Sequence, residues 1–322
     1  MAKTMNEELG VAIIGAGYMA QEHARAFAGM DGVRLSAVFS RSPARASALA
    51  AAYPGMLVCN SVKGLWEQSR ADLVVVTVNE LAMLEVAKAC FAFPWTVLLE
   101  KPAGYDLENA GAILNAARSA GARAFVAFNR RAYSSTRGAL DRLAKIDGPR
   151  FIRVLDQQDQ AEALNVYKFP ETVVRNYMYA NSIHVIDYLR VFGRGEITRV
   201  TPVAAWTPES PGVVLSKVEF SSGDIGLYEG IWNGPGPWSV IVSTAQERLE
   251  MRPLEQLTVQ LRGERRAMQQ PLDPADTEYK PGLRYQALQA IRAARGDNAN
   301  LATLEDSWCS MKLVADIFGL SS

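Results

Sequence analysis

Val11-Ala12-Ile13-Ile14-Gly15-Ala16-Gly17-Tyr18-Met19-Ala20 is the stretch on which the fold turns. An apolar run stops at two glycines and a small residue, and a helical pattern, Gln21 to Gly29, begins at once. This is the G-x-G-x-x-G/A form of a dinucleotide-binding fingerprint. Gly15 permits the tight turn, Gly17 lets the backbone approach a pyrophosphate, and Ala20 lets the helix lie close to the strand. The free N–H groups and positive dipole end of the helix then face the phosphates. Gly15, Gly17, Tyr18 and Met19 are therefore candidate cofactor contacts. A bare strand–turn–helix is the alternative, and the strand pattern Val33 to Phe39 that follows favours the nucleotide reading.

The rest of the chain sets the limits. Its 322 residues suit two domains of ordinary size. Hydrophobic content of 49% against 21% charged residues fits a globular protein with a large core. A formal net charge of zero gives no electrostatic footprint for nucleic acid or an anionic membrane. The three cysteines, Cys59, Cys90 and Cys309, have no metal-ligand spacing, and a sparse odd count suits reduced thiols. No metal is expected, and each thiol reads as a small buried hydrophobe. Met1 to Leu9 is polar and lacks the apolar core of a signal peptide, and the longest apolar runs, such as Leu73 to Val78, are too short to span a bilayer. A cytoplasmic location is the expectation.

From Val11 to about Phe128, apolar strands alternate with Ala-rich helices. The strands read as Val11–Ile14, Leu35–Phe39, Leu73–Val78, Thr96–Leu99 and Ala124–Ala127, with helices such as Pro43–Ala52 and Leu107–Ala120 between them. Continuous apolar strands between helices imply a parallel sheet covered on both faces, hence a doubly wound α/β Rossmann domain over residues 1–128. After Asn129 the texture changes. Strand-like segments follow one another at Phe151–Asp156, Thr198–Ala205, Val213–Phe220, Gly226–Trp232, Ser239–Ser243 and Leu257–Leu261. Helical patterns stand at Ser135–Ala144, Asn181–Phe192 and Leu304–Phe318. This predicts an α+β domain over residues 129–322 with a largely antiparallel open sheet, whose last helix is free to pack back on the first domain. One sheet face needs cover, from helices or from a second subunit. A homodimer or homotetramer joined through that sheet is the expected assembly.

The end of the second strand distinguishes the cofactors. An NAD site carries an acidic residue there for the ribose 2′-hydroxyl. This chain reads Val38-Phe39-Ser40-Arg41-Ser42, with no carboxylate. Ser40 can hydrogen-bond a 2′-phosphate and Arg41 can pair with it, so NADP(H) is the preferred cofactor and NAD(H) the second candidate. At the end of the fourth main strand stand Glu100-Lys101-Pro102. Ligands bind at the carboxyl ends of such strands, so the Lys101 ammonium would emerge where it can polarise a carbonyl or hydrogen-bond a substrate hydroxyl.

Gly15-Ala16-Gly17 with His23 downstream, Glu100-Lys101-Pro102-Ala103-Gly104, and His184-Val185-Ile186-Asp187 together resemble the Gfo/Idh/MocA oxidoreductases, in order and over nearly the whole chain. The resemblance implies a Rossmann domain followed by an α+β domain that commonly forms the subunit interface. It implies hydride transfer between a nicotinamide and a sugar, cyclitol or nucleotide-sugar carbon. Lys101 matches the family's active-site lysine, and His184 matches the histidine that serves as general base or acid. Histidine titrates near neutrality, which suits that role. His23 reads as structural or cofactor-contacting. Glu100, Lys101, Thr77 and Asn79 join the candidate cofactor contacts, Asn79 at the nicotinamide ribose. The chain departs from the family at Ala180, where an aspartate often precedes the histidine by one helical turn, and at Val78 and Ala82, where proline and histidine are common. Asn181, beside Ala180, and Tyr177 and Tyr179 are the polar groups left to meet a substrate.

Arg130 and Arg131 follow the last Rossmann strand, and Arg175-Asn176-Tyr177 precedes the histidine helix. Such arginines suit a phosphate or carboxylate on a nucleotide sugar or sugar acid; the alternative is interdomain salt bridges. Trp232 and Trp238 flank a Gly-Pro-rich turn, where an aromatic either stacks on a sugar or packs in a core. An NADP(H)-dependent oxidoreductase acting on a carbohydrate or nucleotide sugar is the leading reading. The resemblance carries two others, an NAD-dependent glycoside hydrolase with retained cofactor and a non-catalytic dinucleotide-binding regulator.

Overall fold

The computed structural model describes residues 8–209 and 212–320. The start of the chain, Met1–Glu7, read above for a targeting signal, lies outside the described residues. The elements run β1 (Leu9–Ile14), α1 (Tyr18–Phe27), β2 (Val33–Phe39), α2 (Pro43–Ala51), β3 (Leu57–Cys59), α3 (Val62–Ser69), β4 (Leu73–Val76), α4 (Met83–Phe91), β5 (Thr96–Glu100), α5 (Leu107–Ala120) and β6 (Arg123–Ala127). Then come α6 (Ser134–Leu143), β7 (Phe151–Gln158), α7 (Gln160–Asn165), α8 (Glu171–Arg175), a π-helical turn (Met178–Ser182) and α9 (Ile183–Phe192). β8 (Ile197–Ala204), β9 (Val213–Phe220), β10 (Ile225–Trp232), β11 (Ser239–Ser243), β12 (Glu247–Met251), β13 (Thr258–Leu261) and β14 (Met268–Gln269) follow. The chain closes with α10 (Ala275–Glu278), α11 (Leu283–Arg295), β15 (Ala302–Thr303) and α12 (Leu304–Phe318).

Two compact units emerge. One holds residues 1–129 and 275–308, the other 130–274 and 309–322. Residues 275–308 group with the first unit. The cause is α11. Its apolar residues Leu283, Ala287, Ala290 and Ile291 join the same buried cluster as Ala20, Ala24 and Phe27 of α1. That covers a helix face which would otherwise lie open.

The first unit is a seven-stranded sheet in the order β15-β6-β5-β4-β1-β2-β3. β1 to β6 are all parallel, and β15 pairs antiparallel with β6. Val11 to Ile14, Leu73 to Val76 and Val97 to Leu99 are essentially free of solvent, as strands covered on both faces must be. Register aligns the strand ends: Ile14 lies opposite both Phe39 and Val76, and Val76 opposite Leu99. Gly15, Ser40, Thr77 and Glu100 thus leave one edge of the sheet at one level. Strand order reverses between β1 and β4, the switch point at which open α/β sheets bind ligands. β3 and α3 were not legible as elements in the sequence. Burial pushes the Cys90 thiol up to about 12, as befits an inert core residue.

The second unit is an eight-stranded sheet in the order β14-β13-β12-β11-β7-β10-β9-β8. Every pair is antiparallel except β7 with β10, so the sheet is mixed rather than wholly antiparallel. Side chains alternate along β7: Ile152, Val154, Asp156 and Gln158 are buried and packed on the side of α9, while Leu155 and Gln157 face the other way, half-buried. β10 repeats the pattern, with Leu227, Glu229 and Ile231 on the half-buried face. The helix expected over Asn181–Phe192 begins instead at Ile183, after the π-helical turn. Such turns concentrate at functional sites.

Candidate active site

The glycine loop shows what it could hold. Gly15 has φ of +111°, and a Cβ there would collide with Thr77 Oγ1 and sit 2.7 Å from the Thr77 carbonyl oxygen. The Thr77 hydroxyl donates to the Ile14 carbonyl, 3.1 Å, which ties the ends of β1 and β4 together. Thr77 is thereby a brace for the loop. Gly17 is different: its φ is ordinary, and a Cβ there would meet nothing within 4 Å. Gly17 caps α1 without any side-chain hydrogen bond, and the first turn of α1 carries no acidic residue. An open cradle above uncapped helix N–H groups fits a dinucleotide pyrophosphate. The two glycines should therefore respond differently. Gly15→Ala should cost about 2 kcal/mol of stability through backbone strain and collision. Gly17→Ala should leave the thermal midpoint in place and weaken dinucleotide binding about tenfold. Thermal melts and a fluorescence titration check both.

Tyr18 is 62% exposed, with the Lys280 ammonium 5.3 Å from its ring centre, and Met19 packs against the core cluster. Met19 thus contributes packing through its side chain. Ser40 Oγ accepts from the Ser42 N–H at 3.2 Å, which leaves its hydroxyl hydrogen to donate. Arg41 is exposed, and so is Arg45, one turn into α2. The sequence reading missed Arg45; its spacing of four from Arg41 was the available signal. Asn79 spends its side-chain oxygen on the Ala82 N–H, 3.0 Å, and keeps its NH2 group on the exposed side.

Glu100 is buried, and both its oxygens have partners. Oε1 lies 2.7 Å from His23 Nε2, and Oε2 accepts from the Lys101 N–H at 3.1 Å. A carboxylate only accepts, so His23 Nε2 carries the donating proton. Glu100, expected at the cofactor, is therefore engaged in bracing Lys101 against α1. Lys101 follows through a cis peptide to Pro102 and is half-buried. Strands lie about 4.8 Å apart, so Lys101, two strands from Gly15, stands about 10 Å along the edge.

The second unit has its own cluster. His184, on α9, is 8% exposed, and its ring lies 6.2 Å from that of Trp238. The Arg130 guanidinium stacks 4.5 Å over the same Trp238 ring, while its Nε and Nη1 are buried without a hydrogen-bond partner. Trp238 Nε1 donates to the Gln157 carbonyl, 2.9 Å, which fixes the indole as a wall. Trp238 lines a cleft of about 330 Å³ with Gln158, Tyr177, Asn181 and the acidic Asp159 and Glu162. Clefts of this size suit small ligands.

Other candidates fall elsewhere. Arg131 was expected at substrate, but its guanidinium grips Asp187 through two hydrogen bonds of 2.7 Å. The Arg131 charge and hydrogen bonds hold Asp187 below the usual carboxylate range despite its burial. Arg175 pairs with Glu171 at the surface, both about three-quarters exposed. Trp232 packs with Trp206 and Phe318 as core. The sequence reading also missed Asp156, a carboxylate 1% exposed under the cleft. Burial pushes it up; hydrogen bonds from Ser182, Tyr228, Gln158 and the Gln157 N–H pull the other way.

Comparison with known proteins places this geometry. Residues 9–128 match the Gfo/Idh/MocA family model, described as an oxidoreductase family with an NAD-binding Rossmann fold. Over this domain the chain is similar to the Gfo/Idh/MocA oxidoreductases. An inositol 2-dehydrogenase of Rhizobium meliloti is 27% identical over 238 residues, 72% of this chain and 64% of that protein. A second inositol 2-dehydrogenase, from Streptomyces avermitilis, is 34% identical over 129 residues, 39% of this chain and 38% of that protein. The chain thus spans less than two thirds of the curated relatives that it matches. A levoglucosan dehydrogenase solved with NADH and levoglucosan aligns with a TM-score of 0.81 at 17% identity, covering 97% of this chain and 96% of that one. Both units therefore follow a fold already known among solved structures. Among the described residues no helix is long and apolar enough to cross a membrane.

Proposed function

We propose that the chain is an NAD(P)-dependent oxidoreductase that oxidises a carbinol carbon of a cyclitol or sugar, or reduces the matching ketone. The observation that carries this is Lys101, held by Glu100 and His23 on the same sheet edge as the glycine loop. The relatives' names add polyhydroxylated rings as the substrate class. Asp159 and Glu162 beside the cleft favour a neutral ring over the phosphates of a nucleotide sugar, since like charges repel.

A bound nicotinamide would supply the hydride acceptor or donor. Gly17 and the α1 N–H groups would hold its pyrophosphate, and Ser40, Arg41 and Arg45 a 2′-phosphate. The Lys101 ammonium stabilises negative charge on the substrate oxygen, and neutral His184 accepts the hydroxyl proton. Arg130 offers its unmet N–H groups to a second substrate oxygen. Tyr177 and Asn181 grip the ring's other hydroxyls. The half-buried sheet face around Leu155, Leu227 and Ile231 is the surface on which a second subunit would pack.

A screen of cyclitols and monosaccharides with NADP+ and with NAD+, read by the absorbance of reduced nicotinamide, tests the activity. Reduction with at least one polyol supports it; none with any polyol removes it. Cofactor choice has a separate test, because no carboxylate stands at the β2 end. NADPH should quench the tryptophan fluorescence at a Kd at least about tenfold below that of NADH. The Ser40→Asp/Arg41→Ala variant should lose that preference. If it binds NADPH as tightly as the parent, the 2′-phosphate is held elsewhere.

A further inference from the structure

Under the cleft of the second unit runs a chain of hydrogen bonds that ends on a carboxylate without a role in the reaction above. β7 puts Asp156 and Gln158 two residues apart, hence on one face. Asp156 Oδ2 accepts from the Tyr228 hydroxyl at 2.8 Å, and Oδ1 from Gln158 Nε2 at 2.7 Å. Gln158 Oε1 in turn accepts from Asn181 Nδ2 at 2.8 Å, and that nitrogen lies 3.4 Å from the Tyr177 hydroxyl. Room for this is specific. Gly230 is the register partner of Asp156, and a Cβ there would lie 2.6 Å from the Tyr228 hydroxyl.

The chain has one direction, and chemistry fixes it. A side-chain amide can turn either end toward a neighbour, whereas the ionised Asp156 carboxylate, met by donors at both oxygens, can only accept. Asp156 therefore forces Gln158 to present its NH2 downward. Gln158 must then offer its oxygen upward, and Asn181 must meet it with NH2. The remaining atom of the Asn181 amide, its oxygen, is left for the cleft that Asn181 lines.

We propose that Asp156 is a positioning residue that sets the direction of this chain, so that Asn181 offers an acceptor to a substrate hydroxyl. The reading rests on the polyol oxidoreductase function proposed above and deepens it. An acceptor at that place selects a hydroxyl on the substrate and disfavours a carbonyl or carboxylate oxygen, which would face it as a second acceptor. Nothing passes along the chain during turnover. Asp156 acts through the orientation of two amides.

The test exploits that logic. In Asp156→Asn the group at 156 can turn either way, so the two amides above it lose their fixed direction. KM for the polyol should rise about tenfold while kcat stays within about threefold, the size of one misdirected hydrogen bond. The swapped pair Asp156→Asn/Gln158→Glu puts the accept-only group one step higher. The amide at 156 then donates to the new carboxylate, which again demands NH2 from Asn181. KM should return to within about threefold of the parent. A packing role for Asp156 predicts no such rescue. A double variant as impaired as the single one, or an unchanged KM in Asp156→Asn, overturns the proposal.

A second readout is independent of activity. In NMR spectra of the isotope-labelled protein, the Asn181 carboxamide is assigned by its loss in Asn181→Leu. Its NH2 should exchange slowly in the parent, rapidly in Asp156→Asn and slowly again in the double variant. If the parent oxidises no polyol, the functional reading falls, and this signal alone decides the relay. Rapid exchange in the parent overturns it.

Discussion

Replacing Lys101 by Met lowers kcat about 1,000-fold and leaves NAD(P)H binding within about threefold of the parent. Methionine keeps the length and apolar stem of lysine and removes only the ammonium. The side chain stays half-buried, and the backbone stays anchored by Glu100 on the Lys101 N–H and by His23 on Glu100. What disappears is the positive charge against which the substrate oxygen becomes negative. Such charge is worth several kcal/mol in a site sheltered from water, because it is in place before the reaction begins. Phosphate contacts belong to the glycine loop and the β2 end, so cofactor affinity is spared. The check is a pair of measurements on one preparation: steady-state turnover, and quenching of tryptophan fluorescence by NADPH. Full turnover in Lys101→Met removes the lysine's assigned role. Loss of cofactor binding would make Lys101 a cofactor ligand.

What could be read beforehand separates by distance along the chain. The glycine loop was legible because its logic is local: a tight turn, a close backbone approach and a helix start within ten residues. The parallel sheet was legible because strands buried on both faces are apolar throughout. β12 was not, since Glu247-Arg248-Leu249-Glu250-Met251 looks like surface. Glu247 is buried there only because Arg142, from a helix 105 residues earlier, pairs with it. α11 carries an amphipathic pattern, but nothing in it says that its apolar side belongs on α1 rather than in the second unit. The placement of Lys101 just past the end of β5 was legible because the apolar run shows where the strand stops. Asp156 was not, because its meaning lies in Tyr228, 72 residues on, and in Asn181 above Gln158. The family resemblance implies an aspartate where this chain has Ala180. The carboxylate that orders the amides of this cleft sits instead on a neighbouring strand.

Arg131 gives the clearest case in which contacts reverse a reading, and Arg131→Met tests it. A substrate arginine predicts a raised KM and an unchanged melt. The structure predicts the opposite. Asp187 is 4% exposed at its side chain and receives both arms of the Arg131 guanidinium, with the Ser310 hydroxyl 2.6 Å away as a further donor. Removing one partner of such a pair strands the other charge, at a cost of about 3 kcal/mol or more. At roughly 2–4 °C per kcal/mol for a domain of this size, the midpoint at neutral pH should fall by about 6–12 °C. The sign with pH follows from linkage. In the parent, Asp187 titrates below its ordinary 3.8, so the pair's stabilisation is complete above that value and is lost as pH falls through the folded-state value. In Arg131→Met the Arg131 charge and both its hydrogen bonds are gone while burial remains, opposed by the Ser310 hydrogen bond and the Arg190 charge, which drives the folded-state value upward. Asp187 then takes up a proton in mild acid and stops being a stranded charge. The gap in midpoint between parent and variant should therefore be widest near neutrality and should narrow as pH falls. A gap that is constant with pH would mean that Arg131 contributes through packing alone. An unchanged melt with a raised KM would return Arg131 to the substrate.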